Sequence, residues 1–262
     1  MKVIILAGGL GTRIAEETHD KPKPMVLIDS EPILWHIVNS FSRQGFSDFI
    51  IALGYKGELI EKWIFDLGLN TSKDQSEFHY KNKLNFQGID GNKLKIIGLR
   101  TGLDSQTGGR IIKCMSTVPF ERVLVTYGDG LSNVNIANLI QFHESHGKLA
   151  TVTAVRPPAR FGHLELNGDR VVKFGEKNQT DAGWINGGFF LLEPKVIDFI
   201  LNDLEPFEVG ALPRLSSAGE LMAYKHNGFW QPMDTLRERN ELAKLAQLSP
   251  PPWLQFADNT SF

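Results

Sequence analysis

The chain has 262 residues, 42% hydrophobic and 22% charged, and its 28 Lys and Arg against 30 Asp and Glu leave a net charge of −2. That length buries a full core in one or two domains, while the charge balance argues against a general nucleic-acid or membrane-surface binder, which needs a basic excess. A single cysteine, Cys114, excludes an intrachain disulfide and a cysteine-built zinc site, and it suits the reducing cytoplasm.

No apolar run approaches the roughly 18 residues of a membrane span. Met1-Lys2 and the run at 3–7 superficially resemble a secretion leader, but Gly8, Gly9 and Arg13 follow too soon. The run at 3–7 is rich in β-branched residues and closed by glycines, the pattern of a strand buried on both faces. Residues 32–44 predict a helix, with Ile33, Ile37 and Phe41 at fours, Leu34 and Val38 beside them, Pro32 at the start and Gly45 at the stop. A second buried strand is predicted over 48–53, then a helix over 58–67 with Leu59, Ile60, Trp63, Ile64 and Leu67 on one side.

Residues 69–92 are polar, and alternation returns at 93–99. Gly108-Gly109 open an amphipathic segment with Ile111, Ile112, Met115 and Val118 facing inward. Strands are predicted over 122–126 and 149–155, separated by a helix over 135–146 that ends at Gly147. Past Pro157-Pro158 the texture changes to short strands and turns: Asn167-Gly168-Asp169 between Leu164 and Val172 signals a hairpin, and Gly187-Gly188 precede an apolar run at 189–192. A last helix is predicted over 235–247, followed by an irregular tail from Ser249. Alternating strands and helices through residue 155 imply a parallel sheet covered on both faces, with ligands expected at the carboxyl ends of the strands.

Two segments there can carry chemistry. In Leu6-Ala7-Gly8-Gly9-Leu10-Gly11-Thr12-Arg13, three glycines in four positions let backbone N–H groups face a phosphate, with a hydroxyl and a guanidinium following. The same glycines also fit a plain tight turn; the spacing is neither the dinucleotide fingerprint nor a Walker loop. Lys21-Pro22-Lys23-Pro24-Met25 is the second: two prolines enforce an extended, non-helical segment, and a lysine on it is a point charge suited to a polyphosphate or, alone, an ordinary surface lysine.

Together, Gly8-Gly-x-Gly-Thr-Arg13 and Lys21-Pro-Lys-Pro-Met25 resemble the signature of the sugar-phosphate nucleotidyltransferase family. Pro32-Ile-Leu-Trp-His36, Thr107-Gly-Gly-Arg110, Tyr127-Gly-Asp-Gly130, Trp184-Ile-Asn-Gly-Gly-Phe-Phe190 and Gly228-Phe-Trp-Gln-Pro-Met-Asp-Thr235 resemble those members that make CDP-glucose from CTP and glucose 1-phosphate. The resemblance implies a Rossmann-like α/β fold: a mostly parallel central sheet with helices on both faces and a smaller β-rich sugar-binding portion. It implies one domain over 1–248, nucleotide-binding to about 155 and sugar-binding beyond, before the tail at 249–262.

The residue roles follow the same resemblance. CTP is expected at Leu6, Ala7, Gly8, Gly9, Leu10, Gly11, Thr12, Arg13, Lys23, Thr107, Gly108, Arg110 and Gly128, with Lys23, Arg13 and Asp129 as the catalytic groups. Arg110 is expected to read cytosine by meeting its O2 and N3 acceptors. Asp129, otherwise a turn aspartate, and Asp234, otherwise a cap for the last helix, are expected to hold Mg²⁺, which takes one or two carboxylates and completes its shell with phosphate and water. Glu176, Lys177, Asn186 and Gly187 are expected at the sugar phosphate; Asn178 stands where the family has proline. Self-association is expected too. Rival readings keep the chemistry with another nucleotide or sugar, or reduce the chain to a nucleotide-binding regulator, which retention of Lys23, Asp129 and Asp234 disfavours. The histidines show no metal spacing and are expected on helix faces or the surface.

Overall fold

The computed structural model describes residues 1–67, 82–87, 93–157, 163–175 and 183–256. β1 (Lys2–Ala7) leads through a glycine turn and α1 (Ala15–Thr18) to the ribbon of β2 (Leu27–Ile28) and β3 (Glu31–Pro32). α2 (Ile33–Ser42), β4 (Asp48–Leu53), α3 (Gly57–Leu67), β5 (Asn82–Gln87) and β6 (Lys93–Arg100) follow. Next come α4 (Thr107–Met115), β7 (Val123–Tyr127), β8 (Gly130–Ser132), α5 (Ile136–His146) and β9 (Ala150–Val155). A hairpin of β10 (His163–Asn167) and β11 (Arg170–Gly175) turns at Gly168, whose φ of 58° is left-handed. β12 (Ile185–Asn186), β13 (Phe190–Leu192), α6 (Ala211–Ser217), β14 (Leu221–His226), β15 (Trp230–Pro232) and α7 (Leu236–Ala246) complete the order.

One nine-stranded sheet organises these elements. β7, β1, β4 and β6 lie side by side in parallel. β13 enters antiparallel between β7 and β9, and β14 pairs with β9 in parallel. The two expected halves therefore share one sheet, since β12, β13 and β14 from beyond residue 156 extend it. β5 falls inside the stretch read only as polar and pairs antiparallel with β6.

Strand alternation divides the core. Val3, Ile5 and Ala7 of β1 join Phe49, Ile51 and Leu53 of β4 on the face covered by Ile33, Leu34, Val38 and Phe41 of α2. Ile4 and Leu6 join Ile50, Ala52, Val123 and Val125 on the face covered by Ile111, Cys114 and Met115 of α4. The interiors of β1 and β4 are apolar at successive positions because both faces are covered.

The described part of the tail is packed against the domain. Residues 252–254 form a 3₁₀ turn, and Trp253 is fully buried with its ring edge-on to His36 at 5.4 Å. Asn133 Nδ2 donates to Gln255 O at 2.7 Å, so the segment is packed against the domain. Its run of prolines reads as irregular, but an indole of this size buries enough apolar area to order its neighbours.

Candidate functional site

The parallel register carries β1, β4 and β7 to a common edge: Leu6 lies opposite Ala52 on one side and Tyr127 on the other. A cleft of about 400 Å³ opens there, lined by Leu6 through Thr12, Lys23, Pro24, Thr107, Arg110 and residues 127–129, with Asp234. The expected glycine turn therefore is one wall of a cavity. Gly11 takes a left-handed φ of 67°, and its carbonyl accepts from Thr18 Oγ1 at 3.1 Å. The side chain of Arg13 lies outside what the structure describes.

Lys23 sits differently from the extended segment expected. Pro22 is extended, but residues 23–25 close a 3₁₀ turn in which Met25 N donates to Pro22 O at 2.8 Å. Proline in the first turn of a helix loses no hydrogen bond, so Pro24 permits this. The turn carries Lys23 inward, to 7% exposure, and its Nζ donates at 2.7 Å both to Asp129 Oδ2 and to Asp234 Oδ1. Burial opposes the ammonium charge, yet the Asp129 and Asp234 carboxylates outweigh it and raise the lysine pKa above its ordinary value.

Lys23 stands 106 residues from Asp129 and 211 from Asp234 along the chain. The β8–β15 ribbon brings the two aspartates together: Gly130 lies opposite Pro232, and Met233 N donates to Asp129 O at 2.8 Å. Asp234 is relieved of the capping role its position suggested. Thr235 is the N-cap, accepting from Glu238 N at 3.2 Å, while Glu238 Oε2 accepts from Thr235 N at 3.0 Å and Asp234 N at 2.8 Å. Thr235→Ala is expected to lower stability by about 1 kcal/mol, seen as a smaller urea midpoint; an unchanged midpoint contradicts the capping box.

Arg110 lines the cleft but is committed to its walls. Nη1 donates to Leu53 O at 3.1 Å, to Gly102 O at 3.0 Å and to Thr101 Oγ1, and Nη2 donates to Gly8 O at 3.0 Å. Pairing with cytosine O2 and N3 requires the Nη atoms to leave these acceptors, so in this arrangement Arg110 ties the glycine turn to the ends of β4 and β6. A Cβ at Gly8 would lie 2.2 Å from Arg110 Nη1, so only glycine lets the guanidinium pass.

Thr107 and Gly108 begin α4. Thr107 caps nothing; Gln106 is the N-cap, and Thr107 Oγ1 donates to Glu208 Oε2 at 2.6 Å. Asn186 Nδ2 donates to Tyr127 Oη at 3.0 Å, and Gly187 O accepts from Trp230 Nε1 at 2.9 Å. Glu176, Lys177 and Asn178 lie outside the described residues. Leu103, Ser105, Gln106, Pro24 and Tyr127 line the cleft without having been expected as site residues; for Ser105 and Gln106 the available signal was polar residues directly before a glycine-opened helix. His143 is buried on α5 between Thr151 Oγ1 and Glu193, and burial holds it below the ordinary imidazole value.

Among the described residues no cluster of three or more metal-type side chains occurs, and no helix is long and apolar enough to cross a membrane. The nucleotidyl transferase family profile matches residues 2–235. The chain is 46% identical to glucose-1-phosphate cytidylyltransferase of Salmonella typhimurium, over 97% of this chain and 98% of that protein. It is 40% identical to a probable glucose-1-phosphate cytidylyltransferase of Bacillus subtilis, over 94% and 96% of the two. Among solved structures, HddC from Yersinia pseudotuberculosis superposes with a TM-score of 0.68 at 23% identity, covering 93% of this chain and 98% of that one. A UDP-glucose pyrophosphorylase bound to UDP-glucose superposes at 0.64 and 17%, covering 93% and 97%. With the glycine turn, the inward lysine and the paired aspartates in one cleft, the chain belongs to the nucleotidyl transferase family.

Proposed function

We propose that the chain transfers the cytidylyl group of CTP to α-D-glucose 1-phosphate, giving CDP-glucose and pyrophosphate. The observation that carries this reading is the convergence of Lys23, Asp129 and Asp234 beside the glycine turn, in a chain whose 46% identical relative bears that activity in its name. A sugar-phosphate oxygen attacks the α-phosphorus in line; one phosphorus–oxygen bond forms as the bond to pyrophosphate breaks. A phosphate monoester is already a nucleophile, so positioning and charge neutralisation suffice. The main-chain N–H groups of residues 8–11, Arg13 and Lys23 offset the charge that builds on pyrophosphate. Glu176, Lys177, Asn186 and Gly187 take the hexose and its phosphate.

The donor set fits Mg²⁺. Two carboxylate oxygens, each 2.7 Å from one ammonium nitrogen, already flank a cationic position, and Mg²⁺ adds substrate phosphate and water to one or two carboxylates. Asp129 and Asp234 would hold the ion, which supplies Lewis-acid stabilisation at the α-phosphate. The reading places the enzyme in the cytoplasm as a self-associating protein. Pyrophosphate release is to be measured with each of the four ribonucleoside triphosphates and glucose 1-phosphate. CTP is expected to give the highest kcat/KM; a higher value with another nucleotide overturns the assignment, and no release with any removes the enzyme reading.

A further inference from the structure

Glu208 belongs to none of the motifs above, yet its two oxygens accept from two residues that line the cleft. Oε2 accepts from Thr107 Oγ1 at 2.6 Å, at the first residue of α4, and Oε1 accepts from Tyr127 Oη at 2.5 Å, at the end of β7. Each partner is itself engaged. Thr107 Oγ1 accepts from Phe207 N at 2.8 Å, and Tyr127 Oη accepts from Asn186 Nδ2 at 3.0 Å. Asn186 Oδ1 in turn accepts from Gly188 N at 2.8 Å. A continuous chain of hydrogen bonds thus links α4, Glu208, Tyr127 and the end of β12 at Asn186.

Its direction is set at one point. An ionised carboxylate only accepts, so the phenol must donate to Glu208 and receive from Asn186. With Gly188 N on its Oδ1 and the phenol receiving one N–H, the Asn186 amide is held in one orientation that leaves its second N–H for a ligand. Tyr127 is held as a protonated donor, its pKa raised by burial and then by the Glu208 charge. We infer that Glu208 is a positioning residue for the sugar phosphate: through Tyr127 it orients Asn186, and through Thr107 it anchors that orientation to the nucleotide wall. The inference rests on the reaction proposed above.

The test compares Glu208→Gln, Tyr127→Phe and the double variant with the unaltered chain, measuring KM for glucose 1-phosphate and for CTP, kcat and Tm. Glu208→Gln keeps the volume but gives the phenol and the threonine hydroxyl a site that both donates and accepts. Loss of a hydrogen bond to a charged group predicts a KM for glucose 1-phosphate raised roughly 10- to 100-fold. KM for CTP and Tm are expected to stay near their original values, and the double variant to match Glu208→Gln rather than the product of the single effects. Equal rises in both KM values, a fall in Tm that accounts for the loss, or multiplicative single effects overturn the inference. A chain that turns over a different pair of substrates overturns the reaction instead, and the same KM split on that pair then decides the role of Glu208 separately.

Discussion

Replacing Lys23 by methionine is expected to lower kcat/KM roughly 10²- to 10³-fold, the cost of removing one preorganised charge-stabilising group. Methionine fills much of the buried volume of the stem but ends the two 2.7 Å contacts to Asp129 and Asp234. Those carboxylates keep 35% and 24% side-chain exposure, so water still solvates them and the fold should persist. A second readout separates this loss from simple damage. In the structure the ammonium occupies the position between the carboxylates that a divalent cation would share. Without it, Mn²⁺ measured by titration in the absence of nucleotide should bind more tightly, on the order of tenfold, because one like charge has left a partly solvated site. Near-normal turnover, or unchanged Mn²⁺ affinity, contradicts the placement of Lys23.

Asp129→Asn and Asp234→Asn form the second large expectation. Asparagine keeps the size of the side chain and can still accept from Lys23, and neither change touches the Met233 N to Asp129 O bond that holds the ribbon in register. Each variant should therefore fold with a Tm near that of the unaltered chain, yet lose roughly 10²- to 10³-fold in turnover and bind Mn²⁺ more weakly. The Mn²⁺ change is opposite in sign to that expected for Lys23→Met. Weakened binding in all three variants would mean that disruption of the pocket, and not the balance of charge, governs the effect.

Local signals in the sequence were strong where the chain is regular. The apolar runs at 3–7 and 49–53 became the buried stretches of β1 and β4 because both faces of the sheet are covered. The fours-spaced residues of 32–44 became α2 over Ile33–Ser42, with Pro32 one position outside as the cap. The glycine turn, the Lys-Pro segment and Asp129 after its buried strand stand out in the sequence, and the structure brings them to one cleft. Packing outvoted local preference at Lys23, which the two prolines place on an extended segment and which lies on a 3₁₀ turn.

By itself the sequence determined the strand and helix alternation, the cleft edge and the residue types that line it, because periodicity and turn chemistry act over a few neighbouring residues. Only the tertiary structure decided that Lys23 bridges Asp129 and Asp234, that Arg110 spends its Nη donors on the cleft walls, and that Glu208 joins Thr107 to Tyr127. Those contacts join residues far apart in the chain through strand register and ribbon pairing, and no short-range pattern encodes where a side chain will find its partner.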